Sequence, residues 1–130
     1  MERAGRPRVL VVESDSLARA IMLAHLDARA DVVTAATLPE AFACLHALAF
    51  DVVLVEADIE GVRAGLPLLT VVTERWPHIR AYAVGDLEPG PGFDVLVKPV
   101  LRAELDAILE AAAPRAFGVG DLSNGPAATA

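Results

Sequence analysis

The feature that most constrains this chain is the alternation of short, continuous apolar runs with segments of helical periodicity. Residues 8–12 (RVLVV), 52–55 (VVLV), 80–84 (RAYAV) and 94–97 (DVLV) are rich in Val, Leu and Ala and are bounded by charge or turn residues. Runs that lack polar alternation are the pattern of strands covered on both faces. A shorter run at 31–34 (DVVT) reads as an edge strand. Helical spacing fills the intervals. Residues 16–28 follow a Ser or Asp N-cap and place Leu17, Ile21, Ala24 and Ala28 on one face. A second helix opens at Thr37, tolerates Pro39 in its first turn, and spaces Phe42, Leu45 and Ala49. A third spans 66–76 and stops before Pro77; the last spans 101–112, with Leu101, Leu105, Ile108 and Ala112 on one face.

Strands separated by helices in this order predict a parallel sheet with helices on both faces, because right-handed crossovers must pass over the sheet. The expected fold class is α/β, a flavodoxin-like doubly wound five-stranded sheet of order 2-1-3-4-5. In that topology a crevice forms at the carboxyl ends of the strands, near the switch between the first and third. Glu13, Glu56, Gly85 and Lys98 are the residues this places there.

The 130 residues, 55% of them hydrophobic, suit one domain, expected over 8–113 after an N-terminal extension of 1–7. Residues 114–130 lose periodicity and read as a tail or linker. Eighteen acidic against eleven basic residues give a formal charge of −7, which disfavours direct binding to nucleic acid or to anionic membranes. No run approaches the roughly 18 apolar residues that span a bilayer. Cys44 is the single cysteine, which excludes an internal disulfide and fits a reducing compartment, with cytoplasm as the expectation. His25, His46 and His78 lack metal-ligand spacing and read as surface or packing residues, as does Trp76.

Taken together, RVLVVESD, FDVVLVEADIEG and FDVLVKPV give the chain a likeness in which order and spacing matter more than any single match. Over roughly residues 8–113 it resembles the receiver domain of two-component response regulators. The resemblance implies bacterial signal transduction and a pocket with two acidic residues after the first strand. It also implies a phosphoacceptor aspartate ending the third strand, a Thr or Ser ending the fourth, and Lys-Pro after the fifth. In such a pocket acidic groups hold Mg²⁺, and the lysine and hydroxyl engage the phosphoryl oxygens.

Carried over residue by residue, the likeness is incomplete. Glu13 falls on the first acidic position and Ser14 on the second, which removes one carboxylate; Asp15, next to it, is expected to cap the first helix or face elsewhere. Glu56 falls on the phosphoacceptor position with one extra methylene, about 1.5 Å of displacement, a severe change for in-line transfer. Gly85 replaces the hydroxyl, and Val95 stands where many receivers carry an aromatic switch. Lys98 and Pro99 remain, and the resemblance implies a cis bond between them. An ion pair of Lys98 with Glu56, shared with Glu13, is expected. Asp58 is an alternative acceptor, and Glu13, Glu56 and Asp58 are weak candidates for Mg²⁺; neither a metal nor a cofactor is otherwise expected.

Between the fourth and fifth strands only GDLEPGPG (residues 85–92) remains. A parallel crossover normally takes about a dozen residues or more, usually a helix, so that helix is expected to be missing or replaced by a loop. Its loss is expected to uncover sheet surface at Tyr82, Val84, Val95 and Val97, with cover from Leu87 and Phe93, from the tail, or from a second copy in a symmetric dimer.

The expected function is therefore a degenerate receiver, not an enzyme, that signals through phosphorylation-independent binding of a protein partner. One alternative is a functional receiver phosphorylated on Glu56 or Asp58 in a phosphorelay. The other is a flavodoxin-like domain that binds a small ligand, against which the sequence offers no G-x-G-x-x-G, P-loop or nucleophile elbow.

Overall fold

The computed structural model describes residues 5–112. Its elements are β1 (Arg8–Val12), α1 (Ser16–Leu26), β2 (Asp31–Ala35), α2 (Leu38–Ala47), β3 (Val52–Glu56), α3 (Gly65–Arg75), β4 (Arg80–Val84), β5 (Phe93–Leu96) and α4 (Arg102–Ala112). All neighbouring strands are parallel, in the order β2-β1-β3-β4-β5. The expected doubly wound sheet is thus present. The expected tail at 114–130 lies outside the described residues.

Central strands are covered on both sides, which is why β1 and β3 read as unbroken apolar runs. On one face Leu10, Val12, Val53, Val55, Ala81 and Ala83 pack against α2 and α3. On the other, Val9, Val11, Val52, Leu54, Val84 and Leu96 pack against α1 and α4. Asp15 caps α1 by accepting from Ala18 N at 2.7 Å, and Thr37 caps α2 by accepting from Glu40 N at 3.2 Å.

Three expectations need correction. The inward face of α1 is not Leu17, Ile21, Ala24 and Ala28, all of which are exposed; Leu26 is buried, and Ala18, Met22 and His25 are half-buried beside it. Alanines and aliphatics occur around the whole circumference of α1, so periodicity alone does not choose a face. Likewise Ala49 and Leu101 lie outside α2 and α4 and are exposed, while Ala41 and Leu109 are buried in their place.

The third correction concerns the loop after β4. No helix joins β4 to β5, as expected, but the surface left open by its absence is a different one. Strand pairing puts Tyr82 and Val84 on the α1 and α4 side, whereas Ala81, Ala83, Phe93 and Val95 face the side where the crossover helix is missing. Val97 falls beyond the end of β5 and is 65% exposed. Cover comes from the chain itself. Phe93 is only 7% exposed, and half-buried Leu87 packs against the same cluster. The loop lies tightly on α3: Gly92 has φ +84°, and a Cβ there would come within 2.8 Å of Thr73 Cγ2. The reason for expecting a symmetric dimer on this surface is thereby removed.

Candidate functional site

Four strand ends converge on two carboxylates. Glu13 follows β1 and Glu56 ends β3, and both are only 9% exposed. Buried carboxylates need partners, and these are found locally. Glu13 Oε2 accepts from Asp15 N at 3.0 Å. Lys98 Nζ, arriving from the segment after β5, lies 2.9 Å from Glu56 Oε1. The contact has ion-pair distance without hydrogen-bond alignment, so Oε1 receives charge but no directed donor.

The balance of these effects is set by burial. Glu56 has its pKa raised from 4.5 to about 7, first by desolvation and next by the neighbouring Glu13 carboxyl, against which Lys98 pulls downward and loses. Lys98, half exposed, is itself held above its ordinary pKa, chiefly by Glu56. Pairing with Lys98 is therefore present as expected, yet it does not make Glu56 a strong anion. The Lys98–Pro99 peptide is cis.

Around this pair the side chains of the other candidates are engaged with other partners, and Gly85 offers none. Ser14 Oγ accepts from Glu60 N at 2.8 Å, which ties the loop after β1 to the loop after β3. Asp15 is used as the cap of α1. Asp58 Oδ1 lies 3.3 Å from Arg63 Nε, inside a tight turn closed by the Ile59–Val62 bridge. Gly85 has φ +139°, and a Cβ there would meet Ala57 Cβ at 3.1 Å and Glu56 Oε2 at 3.8 Å. A side chain at 85 is therefore strained as well as crowded.

Two residues that organise the site escaped the sequence reading. Arg19 Nη1 donates to the carbonyls of Glu13 at 2.8 Å and Ser14 at 3.3 Å. Arg63, besides Asp58, donates to Asp86 O at 3.2 Å and so links the β3 and β4 loops. Nothing in spacing marks either residue, since Arg19 reaches backbone carbonyls and Arg63 a folded turn.

These side chains do not fit a Mg²⁺ ion, which wants near-octahedral oxygen ligation. Ser14 is engaged by Glu60, Asp58 by Arg63, and Glu56 by Lys98. Among the described residues no three His, Cys, Asp or Glu come together as a ligand set.

Beside the pair, a groove of about 560 Å³ runs between α1 and the segment leading into α4. Glu13 and Lys98 stand at it, and Ile21, Met22, Val100 and Leu105 supply apolar wall. At the opposite end of the sheet, His46 meets Trp76 edge-on at 5.3 Å, a packing role. Cys44 is half-buried and its thiol is pushed up by burial, then by Glu40, as suits a small hydrophobe.

No protein-family model matches the sequence, and no curated protein matches it either. Solved structures do match. The chain is similar to the signal receiver domain of an HD domain-containing protein from Pseudomonas fluorescens Pf-5, with TM-score 0.73, 22% identity, and coverage of 82% of this chain and 94% of that one. It is also similar to a response regulator receiver domain protein from Clostridium thermocellum, with TM-score 0.72, 21% identity, and coverage of 82% and 93%. A CheY-like receiver domain from Methylobacillus flagellatus gives TM-score 0.70, 20% identity, and coverage of 82% and 98%. This chain thus shares the fold of these receiver domains, and no helix joins its β4 to β5.

Proposed function

We propose that this chain is an atypical receiver-like signalling domain that binds a protein partner without being phosphorylated. The observation that carries this is the state of the acceptor position, where Glu56 is buried, drawn to Lys98 and not fully ionised near neutral pH. A phosphoacceptor must present a free carboxylate nucleophile to an incoming phosphoryl group whose charge a cation offsets. Here the acceptor is engaged, the second acidic position is a serine bonded elsewhere, and the hydroxyl position is a glycine.

The same reading makes the domain a binding module and not an enzyme, independent of Mg²⁺ and of nucleic acid. A bacterial cytoplasm is the proposed setting, in keeping with the single half-buried thiol. Among the described residues no helix is long and apolar enough to cross a membrane. Incubation with acetyl phosphate and Mg²⁺ followed by intact mass tests the proposal. The expected spectrum is that of the unmodified chain; a stoichiometric phosphoryl adduct on Glu56 or Asp58 would overturn it.

A further inference from the structure

We propose that a pocket at the amino-terminal ends of β4 and β5 binds a small zwitterion of the α-amino acid class. The pocket holds about 330 Å³. It lies at the end of the sheet away from Glu13, Glu56 and Lys98, which end or follow their strands. Its charged lining is one cation and one anion, Arg80 and Asp94, joined by the phenol of Tyr82. Strand register brings the three together. Arg80 and Tyr82, two apart on β4, share one face, and Tyr82 pairs with Asp94 of β5. The short loop that joins the two strands completes the pocket with Gly90 and Gly92. At position 90 a Cβ would come within 2.5 Å of the Phe93 ring, so the chain passes this close only as glycine.

The polar side chains of this pocket have no use inside the fold. The Arg80 guanidinium, the Asp94 carboxylate and the Tyr82 hydroxyl form no hydrogen bond or ion pair among the described residues, with each other included. Asp51, whose carbonyl receives the Arg80 backbone amide, directs its own carboxylate to Arg8 N at 2.8 Å. Charge then selects the ligand. An anion alone would meet Asp94, and a cation alone would meet Arg80. A carboxylate and an ammonium on one carbon satisfy both, the first on the guanidinium fork and the second on the aspartate. The volume leaves room for a side chain, and the Tyr82 hydroxyl, which both donates and accepts, favours a polar one such as an amide. Arg80 and Asp94 are exposed, and water at the mouth sets the expected affinity at roughly millimolar.

The test titrates the full chain, isotopically labelled, with L-glutamine. Saturable amide shifts are expected at 80–82 and 90–94. N-acetyl-L-glutamine, which lacks the ammonium, and L-glutaminamide, which lacks the carboxylate, should each bind roughly tenfold or more weakly. Arg80→Gln and Asp94→Asn should each weaken L-glutamine by a similar factor, while Arg102→Gln, at the start of α4, should leave it unchanged. Unperturbed amides in β1 and β3 show that the variants fold. Equal binding of the three compounds, shifts at another surface, indifference to either pocket variant, or no saturable shift at roughly ten times the expected dissociation constant would each overturn the proposal. The carboxylates at the other end of the sheet take no part. A phosphoryl adduct on Glu56 or Asp58 would therefore overturn the proposed function and leave this pocket standing.

Discussion

The two faces of the sheet have exchanged the roles their helices would suggest. On the face packed by α2 and α3, a whole crossover helix is missing between β4 and β5, yet Phe93 is buried and Leu87 closes the gap. On the other face both helices are complete, and there Leu17, Ile21 and Leu101 stand in solvent beside a 560 Å³ groove. Loss of an element was healed within the chain, whereas open apolar surface lies where nothing was lost.

The sharpest way to break this comparison is to remove Phe93. Phe93→Ala should lower unfolding free energy by about 3–5 kcal/mol, because a buried aromatic leaves a cavity the short loop cannot fill, and denaturant titration reads it. A loss below about 1 kcal/mol would mean that the loop does not seal that face. Gly85→Ser should cost about 1–3 kcal/mol through the positive φ alone. It should also fail to restore acyl-phosphate formation when measured by intact mass.

The polar site sharpens the contrast through pH. The folded chain keeps a proton on Glu56 up to about pH 7, whereas an unfolded carboxyl loses it near 4.5. Protons are then bound preferentially by the folded state, so its contribution to stability is full below 4.5 and is lost as pH rises to about 7. Thermal melts across that window should show Tm falling with pH, and Glu56→Gln should flatten the limb. Lys98 titrates above 10.5, outside this range. The smallest effect belongs to α1. Leu17→Ala should change stability by no more than about 0.5 kcal/mol, since its side chain stands in solvent and not in the core.

Much of the fold was legible because buried parallel strands leave continuous Val and Leu runs, and because Pro77 and the GDLEPGPG segment mark breaks that no helix crosses. The convergence of Glu13, Glu56 and Lys98 followed from placing them at strand ends. What the sequence left open was rotation and loop geometry. Choosing Leu17 and Ile21 over Ala18 and Met22 needs the docking angle of α1, and Arg63 finds Asp58 only once the Ile59–Val62 turn is closed. The ion pair was also legible, but not its failure to offset burial, which depends on how closely Glu13 approaches Glu56.

The central claim, that this pocket no longer reads a phosphoryl group, is tested most directly by adding beryllofluoride and Mg²⁺ to the labelled chain. The amides of Glu13, Ala57, Gly85 and Lys98 should not move. Saturable shifts at these amides, spreading to α4, would contradict the account and show a working phosphoryl switch.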